Sequence, residues 1–298
     1  MSGHFFIFRV HIYIHMGGGS NITVNEFNPK EMKKGRICLM IGKRGTGKST
    51  LIRDIMYHMK GFIDQPLAMT PTEESVGMFE ECMPESCVHT SFNPVVLDRL
   101  IHHQRQRGKK KLPQRDVLLV LDDMMFDKKV LKGQGVRDIF MNGRHLKITF
   151  INAMQYCMDM GPDLRSQVDY CFALRENIVS NRVKLWKYFF GGFENFEDFC
   201  SVFTACTSNN ECMVIDNTVK SNNISDMIFW YKANINIGSY ILGDRKLWYA
   251  HYKYYRTDDE MDNYQDTSGD PCDNKKSNRI THVSKTMADG TRYSLKGS

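Results

Sequence analysis

One stretch constrains this chain more than any other: Ile37–Lys60, ICLMIGKRGTGKSTLIRDIMYHMK. Its first five residues, Ile37 to Ile41, are apolar without interruption and read as a strand buried on both faces. Leu51, Ile52, Ile55, Met56 and Met59 then recur at helical spacing, and Gly61 stands where a helix C-terminal cap belongs. Between strand and helix, Gly42, Gly47, Lys48 and Ser49 fit G-x-x-x-x-G-K-[ST]. The spacing has a physical reason. Glycine lets the backbone curl so that successive N–H groups converge on a phosphate, and the following helix adds its positive N-terminal end. Lys48 supplies a point charge between phosphates, and Ser49 offers a hydroxyl to Mg²⁺. A glycine-rich turn that binds nothing has no need of strand, loop and helix in this order. Gly42, Lys43, Arg44, Gly45, Thr46, Gly47, Lys48, Ser49 and Thr50 are therefore the candidate nucleotide-binding set.

The second landmark is Val117–Asp123, VLLVLDD, five apolar residues ending in two acids. At the carboxyl end of a strand near the phosphate loop, Asp122 is placed to hold the Mg²⁺ water shell opposite Ser49. Asp123 is then placed to polarise the attacking water. The long gap from Lys48 to Asp122 suggests a further strand between the two motif strands, as in RecA-like motor ATPases. Ile148–Met154 reads as the next core strand, with Gln155 at its carboxyl end, where ligands of such sheets sit. Gln155 is expected to face the γ-phosphate and sense it. Arg144 lies at the other end of the same strand, away from its own nucleotide, and can complete a site only in a neighbouring subunit. Arg165 and Arg175 are weaker candidates for that part.

The 298 residues suffice for one large α/β domain, and 42% hydrophobic content supports a real core. No run approaches the ~18–20 apolar residues that cross a bilayer. The opening FFIFRVHIYIHM is short, carries Arg9, His11 and His15, and is followed by no small-residue cleavage site, so it reads as a peripheral strand. Met16 and Met32 are alternative starts. Nine cysteines without a C-x-x-C pair read as reduced thiols. Cys82, Cys87, His102 and His103 fit no common zinc spacing.

Net charge is only +6, yet Arg105, Arg107, Lys109, Lys110, Lys111 and Arg115 crowd one stretch. That stretch is the candidate phosphate-backbone contact, against the plainer reading of a solvated loop. Residues 1–34 read as a peripheral segment with a flexible joint at Gly17–Gly19. Residues 35–256 read as the nucleotide-binding domain, with extra strands over Cys212–Asp216 and Met227–Tyr231. Beyond Thr257, Asp258–Asp270 holds six acids and no basic residue, and 257–298 reads as a disordered tail.

The set IGKRGTGKST, LVLDD, NGRH, ITFINAMQY, PDLRSQVDY and FALREN, with later segments such as ILGDRKLWYAH, resembles the genome-packaging ATPases of large nucleocytoplasmic DNA viruses. These form the poxvirus-type branch of the FtsK/HerA superfamily, and the similarity spans roughly Asn28–His251. The resemblance implies a RecA-like P-loop core: a mostly parallel sheet flanked by helices, with additional C-terminal strands. It implies ATP hydrolysis with Mg²⁺ in a ring of identical subunits that pushes double-stranded DNA into a preformed capsid. By position, Lys48, Asp123, Gln155 and a trans-acting Arg144 are the catalytic set, and Ser49 and Asp122 serve the metal. Many members carry Glu where Asp123 stands, one methylene longer. Capsid or internal-membrane proteins are the implied further partners, and viral assembly sites in the host cytoplasm, or the virion, the implied location. Three rivals stand beside this reading: a cellular-type translocase or helicase of the same superfamily, a nucleotide kinase, which would need an arginine-bearing lid and an acceptor pocket, and a nucleotide-bound assembly protein without turnover.

Overall fold

The computed structural model describes residues 11–15, 21–124, 130, 132–156, 160–256, 282–286 and 292–296. The strands are β1 (Ile12–His15), β2 (Asn21–Glu26), β3 (Ile37–Ile41), β4 (Gln65–Met69), β5 (Val88–His89), β6 (Val117–Asp122), β7 (Ile148–Met154), β8 (Tyr170–Leu174), β9 (Glu211–Asp216), β10 (Ile228–Lys232), β11 (His282–Thr286) and β12 (Arg292–Lys296). The helices are α1 (Lys48–Met59), α2 (Glu73–Cys82), α3 (Pro94–Lys109), α4 (Gln134–Asn142), α5 (Pro162–Arg165), α6 (Val179–Phe189), α7 (Phe196–Cys206), α8 (Ile224–Met227) and α9 (Arg245–Tyr254).

Ten of these strands form one sheet in the order β1-β2-β10-β9-β8-β3-β7-β6-β4-β5. The centre, β8-β3-β7-β6-β4-β5, is parallel throughout. As expected, a strand lies between the two motif strands, but it is β7, which follows β6 in the chain; the strands inside the gap, β4 and β5, lie beyond β6. Beyond β8 the sheet turns antiparallel through β9 and β10, then takes in β2 alongside β10 and β1 at the edge. β3, β6, β7 and β8 are buried at every residue because helices cover both faces, which explains their largely apolar runs.

On one face α1 and α2 pack through Leu51, Ile52, Ile55, Met56, Met59, Phe79 and Cys82. On the other, α3, α4, α6 and α7 pack through Leu97, Leu100, Ile101, Val136, Ile139, Leu185, Phe199, Val202 and Phe203. A fully buried Leu, Ile or Met side chain stabilises by about 1.5–3 kcal/mol, so the apolar face of α1 is what fixes the helix under the phosphate loop. The aromatic run of 186–203 is core, as the sequence suggests: Phe199 contacts Phe190, Phe193, Phe196 and Phe203.

None of the seven described cysteines forms a disulfide, and burial pushes the Cys87 thiol up to about 11 and Cys206 to about 12. The Gly17–Gly19 joint lies outside the described residues, as does most of the tail from 257. Within that tail, β11 and β12 pair antiparallel. No described helix is long and apolar enough to cross a membrane.

Candidate active site

The site is built where β3, β6, β7 and β8 end. Gly42 N–H continues the sheet by donating to Met154 O at 3.1 Å. A Cβ on Gly42 would stand 2.6 Å from Thr46 Oγ1 and 2.7 Å from Leu174 Cδ1, so the close return of the loop requires glycine there. Gly47, at φ +94°, turns the chain into α1 through a left-handed backbone that L side chains rarely adopt. Thr46 Oγ donates to Lys43 O at 2.7 Å, which closes the loop on itself.

Lys48 is the first residue of α1 and is 7% exposed. Its Nζ lies 2.5 Å from Asp123 Oδ1. Gln155 Nε2 donates to the other oxygen, Asp123 Oδ2, at 3.3 Å. Lys48, Asp123 and Gln155, from three elements, therefore meet through one carboxylate. Asp123 itself takes a left-handed backbone, φ +51°, while its N–H donates to Ala153 O at 3.1 Å. The carboxylate is thus aimed by the turn that ends β6, not by a rotamer of a regular strand.

Asp122 is buried and differs in kind. Ser75 Oγ donates to its Oδ2 at 2.8 Å, and its Oδ1 has no partner. Burial raises its pKa above the usual carboxylate range, with Asp123 adding to the rise, against the Ser75 hydrogen bond and the Lys48 charge. A buried acid with one oxygen held and the other free at a strand's carboxyl end suits the water shell of a divalent cation. Such a cation supplies charge neutralisation for transferred phosphate. Ser49 and Thr50 line a cleft of about 440 Å³ together with Arg53, Glu73, Glu74 and Asn234.

Three parts of the site escape a motif reading. Ser75, in the first turn of α2, positions Asp122, and nothing in its sequence surroundings marks it. Lys43 pairs with the buried Glu176 at 2.7 Å, and Glu176 also accepts from Ile178 N–H and Asn181. Burial opposes ionisation of Glu176, but Lys43 and those two donors hold its pKa below the usual range. The third is Asp54, fully buried on α1. It accepts from the Tyr231 hydroxyl and, at 3.1 Å, from Asn234 N–H. Tyr240 Oη donates to Arg53 O at 2.8 Å. The chain after β10 thus straps α1 in place. An acid among Leu51, Ile52, Ile55 and Met56 is the signal that marks Asp54.

Of the remaining candidate arginines, only Arg175 borders the site. Arg144 stands at the amino edge of the sheet, 61% exposed, with Nη2 3.0 Å from Asp169 Oδ1. Asp169 also takes Arg36 and the Ile37 N–H. Arg165 lies over the Tyr188 ring and donates to Met160 O, so the fold holds it. Arg175 borders Gln155, Tyr156 and Glu176 beside the phosphate loop. The basic stretch is less free than its sequence suggests. Arg105 donates to both oxygens of Asp138, at 2.6 and 2.7 Å, Arg107 donates to Pro113 O, and Arg115 faces Asp244. Half of that expected DNA surface is occupied within the fold.

No family model matches the chain. An uncharacterized protein, L437 of Acanthamoeba polyphaga mimivirus, is 32% identical over 249 residues, 80% of this chain and 87% of that protein. Uncharacterized protein 015R of Frog virus 3 (isolate Goorha) is 34% identical over 230 residues, 76% and 70% of the two chains. Among solved structures, B204, the DNA-packaging ATPase from Sulfolobus turreted icosahedral virus, shares 17% identity at a TM-score of 0.48. That match covers 68% of this chain and all of the other.

Proposed function

The chain belongs to the family of L437 of mimivirus and 015R of Frog virus 3, and we propose that it is an ATP-hydrolysing motor that moves double-stranded viral DNA into a preformed capsid. The observation that carries the enzymatic part is the single carboxylate of Asp123 held by Lys48 and Gln155 at the mouth of a phosphate loop. The packaging part is supported by the ordered sequence resemblance and by the viral origin of the relatives.

Phosphate oxygens of ATP compete with Asp123 for the Lys48 ammonium. Once Lys48 turns to phosphate, Asp123 is left with Gln155 and can accept a proton from water. Gln155 holds that water or the γ-phosphate, which makes it the reporter of nucleotide state. The loop amides from Gly42 to Thr50 and Lys48 stabilise charge on the transferred group. Ser49 and Asp122 would hold Mg²⁺, which would supply charge neutralisation for the transferred phosphate. Arg144 faces away from its own loop, and its exposure suits a finger that completes the site of a neighbouring subunit in a ring.

The test is displacement of a triplex-forming strand from linear duplex DNA by the purified protein. ATP-dependent displacement, absent in Lys48→Ala, is expected. Hydrolysis without displacement on any duplex length contradicts a motor and favours an assembly switch. Mixing Lys48→Ala with Arg144→Ala subunits tests the finger: restored turnover is expected, and two variants that never complement one another remove Arg144 from the site.

A further inference from the structure

Three loops far apart in sequence meet at the amino edge of the sheet, opposite the phosphate loop. Phe150 N–H donates to Arg36 O at 2.9 Å and Val117 N–H to Lys147 O at 3.0 Å. A Cβ on Gly35 would stand 3.4 Å from Arg144 Cα. Residues 33–36, 107–116 and 144–147 hold ten Lys and Arg against one Asp, in a chain whose net charge is +6. The remainder of the chain is therefore acidic on balance.

Part of this charge is neutralised locally. Lys34 pairs with Asp116, Arg36 and Arg144 share Asp169, and Arg115 faces Asp244. Among the described residues, Lys109, Lys110, Lys111 and Lys147 are all exposed and have no carboxylate partner. A second observation separates this edge from an ordinary solvated face. Five described non-glycine residues have left-handed φ: Asp123, Asn209, Asn210, Lys111 and Lys147. Asn and Asp visit that region readily; lysine does not. Lys111 takes the place after α3 where glycine is usual: Lys111 N–H donates to Gly108 O at 3.0 Å, and Leu112 N–H to Arg107 O at 2.9 Å. Lys147 closes a turn on Arg144 O at 3.3 Å. At both points the chain places a long cation where glycine fits with less strain.

From this we infer that the amino edge is the surface that grips the phosphate backbone of duplex DNA, through Lys109, Lys110, Lys111 and Lys147. The inference rests on the DNA-motor reading above and says where the DNA lies: across the sheet from the chemistry, at the far ends of β3, β6 and β7. Lysine contributes an undirected point charge, which suits a track read without regard to sequence. The three segments contain no Phe, Tyr or Trp on which unpaired bases could stack, which favours duplex over single strands.

The test is the affinity of the full chain for long duplex DNA across a salt series. In Lys111→Gly/Lys147→Gly, relief of the left-handed backbone holds or raises the Tm, while duplex affinity falls. The slope of log affinity against log salt becomes shallower by up to ~1.8, about 0.9 for each phosphate that is no longer neutralised. Lys109→Gln/Lys110→Gln, where the backbone is unstrained, gives the same shallower slope without the gain in Tm. Duplex binding that keeps its affinity and slope in both variants overturns the edge assignment alone. Wild-type protein that hydrolyses ATP yet shows no salt-dependent duplex binding overturns the motor reading itself. Tighter binding to single strands or to anionic lipid vesicles than to duplex also overturns the edge.

Discussion

The two ends of one sheet are built on opposite electrostatic plans. At the carboxyl edge, the charges nearest the loop are set in specific contacts: Lys48 with Asp123, Lys43 with the buried Glu176, and the buried Asp122 held by the Ser75 hydroxyl. At the amino edge, charges are many, exposed and mostly of one sign. Buried pairs act through position, because desolvation makes each interaction strong and its removal costly. Exposed lysines act through number, are screened by salt and tolerate imprecision. Chemistry on a phosphate needs the first kind of site, and a grip on a moving polyanion needs the second. The strands between them, β3, β6 and β7, are buried throughout and connect the two ends as one rigid body.

That contrast can be broken most sharply at Asp123. Asp123→Asn keeps the size of the side chain and its hydrogen-bonding capacity toward Lys48 but removes the base, so kcat is expected to fall about 10²–10⁴-fold. Steady-state turnover reads this out, and a fall below tenfold would move the base elsewhere. Tyr231→Phe comes next. It leaves the fully buried Asp54 with Asn234 N–H and without its hydroxyl donor, for a loss of about 1.5–3 kcal/mol of stability by denaturant unfolding. An unchanged unfolding midpoint would mean that the strap does not hold α1.

Asp122→Asn sharpens the comparison in the opposite direction. Burial raises the folded-state pKa of Asp122, so its contribution favours the fold at acid pH and is lost as pH rises through that raised value. At neutral pH the carboxylate opposes folding, and asparagine removes that cost. The Tm of nucleotide-free Asp122→Asn is therefore expected to exceed wild type at neutral pH, with the gap closing toward acid, while turnover is lost. Melting curves that run in parallel across pH would contradict the burial argument. The smallest effect belongs to the amino edge. Arg105→Ala breaks an exposed pair with Asp138, worth about 0.2–1 kcal/mol, and should scarcely move duplex affinity. A large loss of duplex binding would return Arg105 to the DNA surface.

The carboxyl edge was legible in the sequence because its parts are local. G-x-x-x-x-G-K-[ST] and LVLDD each state a strand end and the residue that follows it; that a strand separates them held, though it is β7, after LVLDD, and not a strand of the gap. Asp54 went unread, although an acid among Leu51, Ile52, Ile55 and Met56 was a signal; its partner Tyr231, far along the chain on β10, carries no such mark. The amino edge was legible only as a basic stretch. Its sequence does not say that Asp138 and Asp244 take up Arg105 and Arg115, since those pairs depend on how α3, α4 and α9 pack. Nor does it bring the end of the basic stretch beside Lys147, whose carbonyl accepts from Val117 N–H because β6 and β7 are neighbours. The left-handed backbone of both lysines is a property of turns that carry no turn-forming residue at those points. The pairing of β2 with β10 was equally hidden, because parallel strands without a local connection are chosen by packing alone.

The most direct measurement is steady-state ATP hydrolysis by the full-length protein during titration with long double-stranded DNA, beside Lys48→Ala. The expected result is turnover that rises severalfold with duplex, weakens as salt increases, and is absent in Lys48→Ala at every DNA concentration. Turnover indifferent to duplex at low salt, or turnover that survives loss of Lys48, would contradict a phosphate-loop motor with chemistry at one edge of its sheet and DNA at the other.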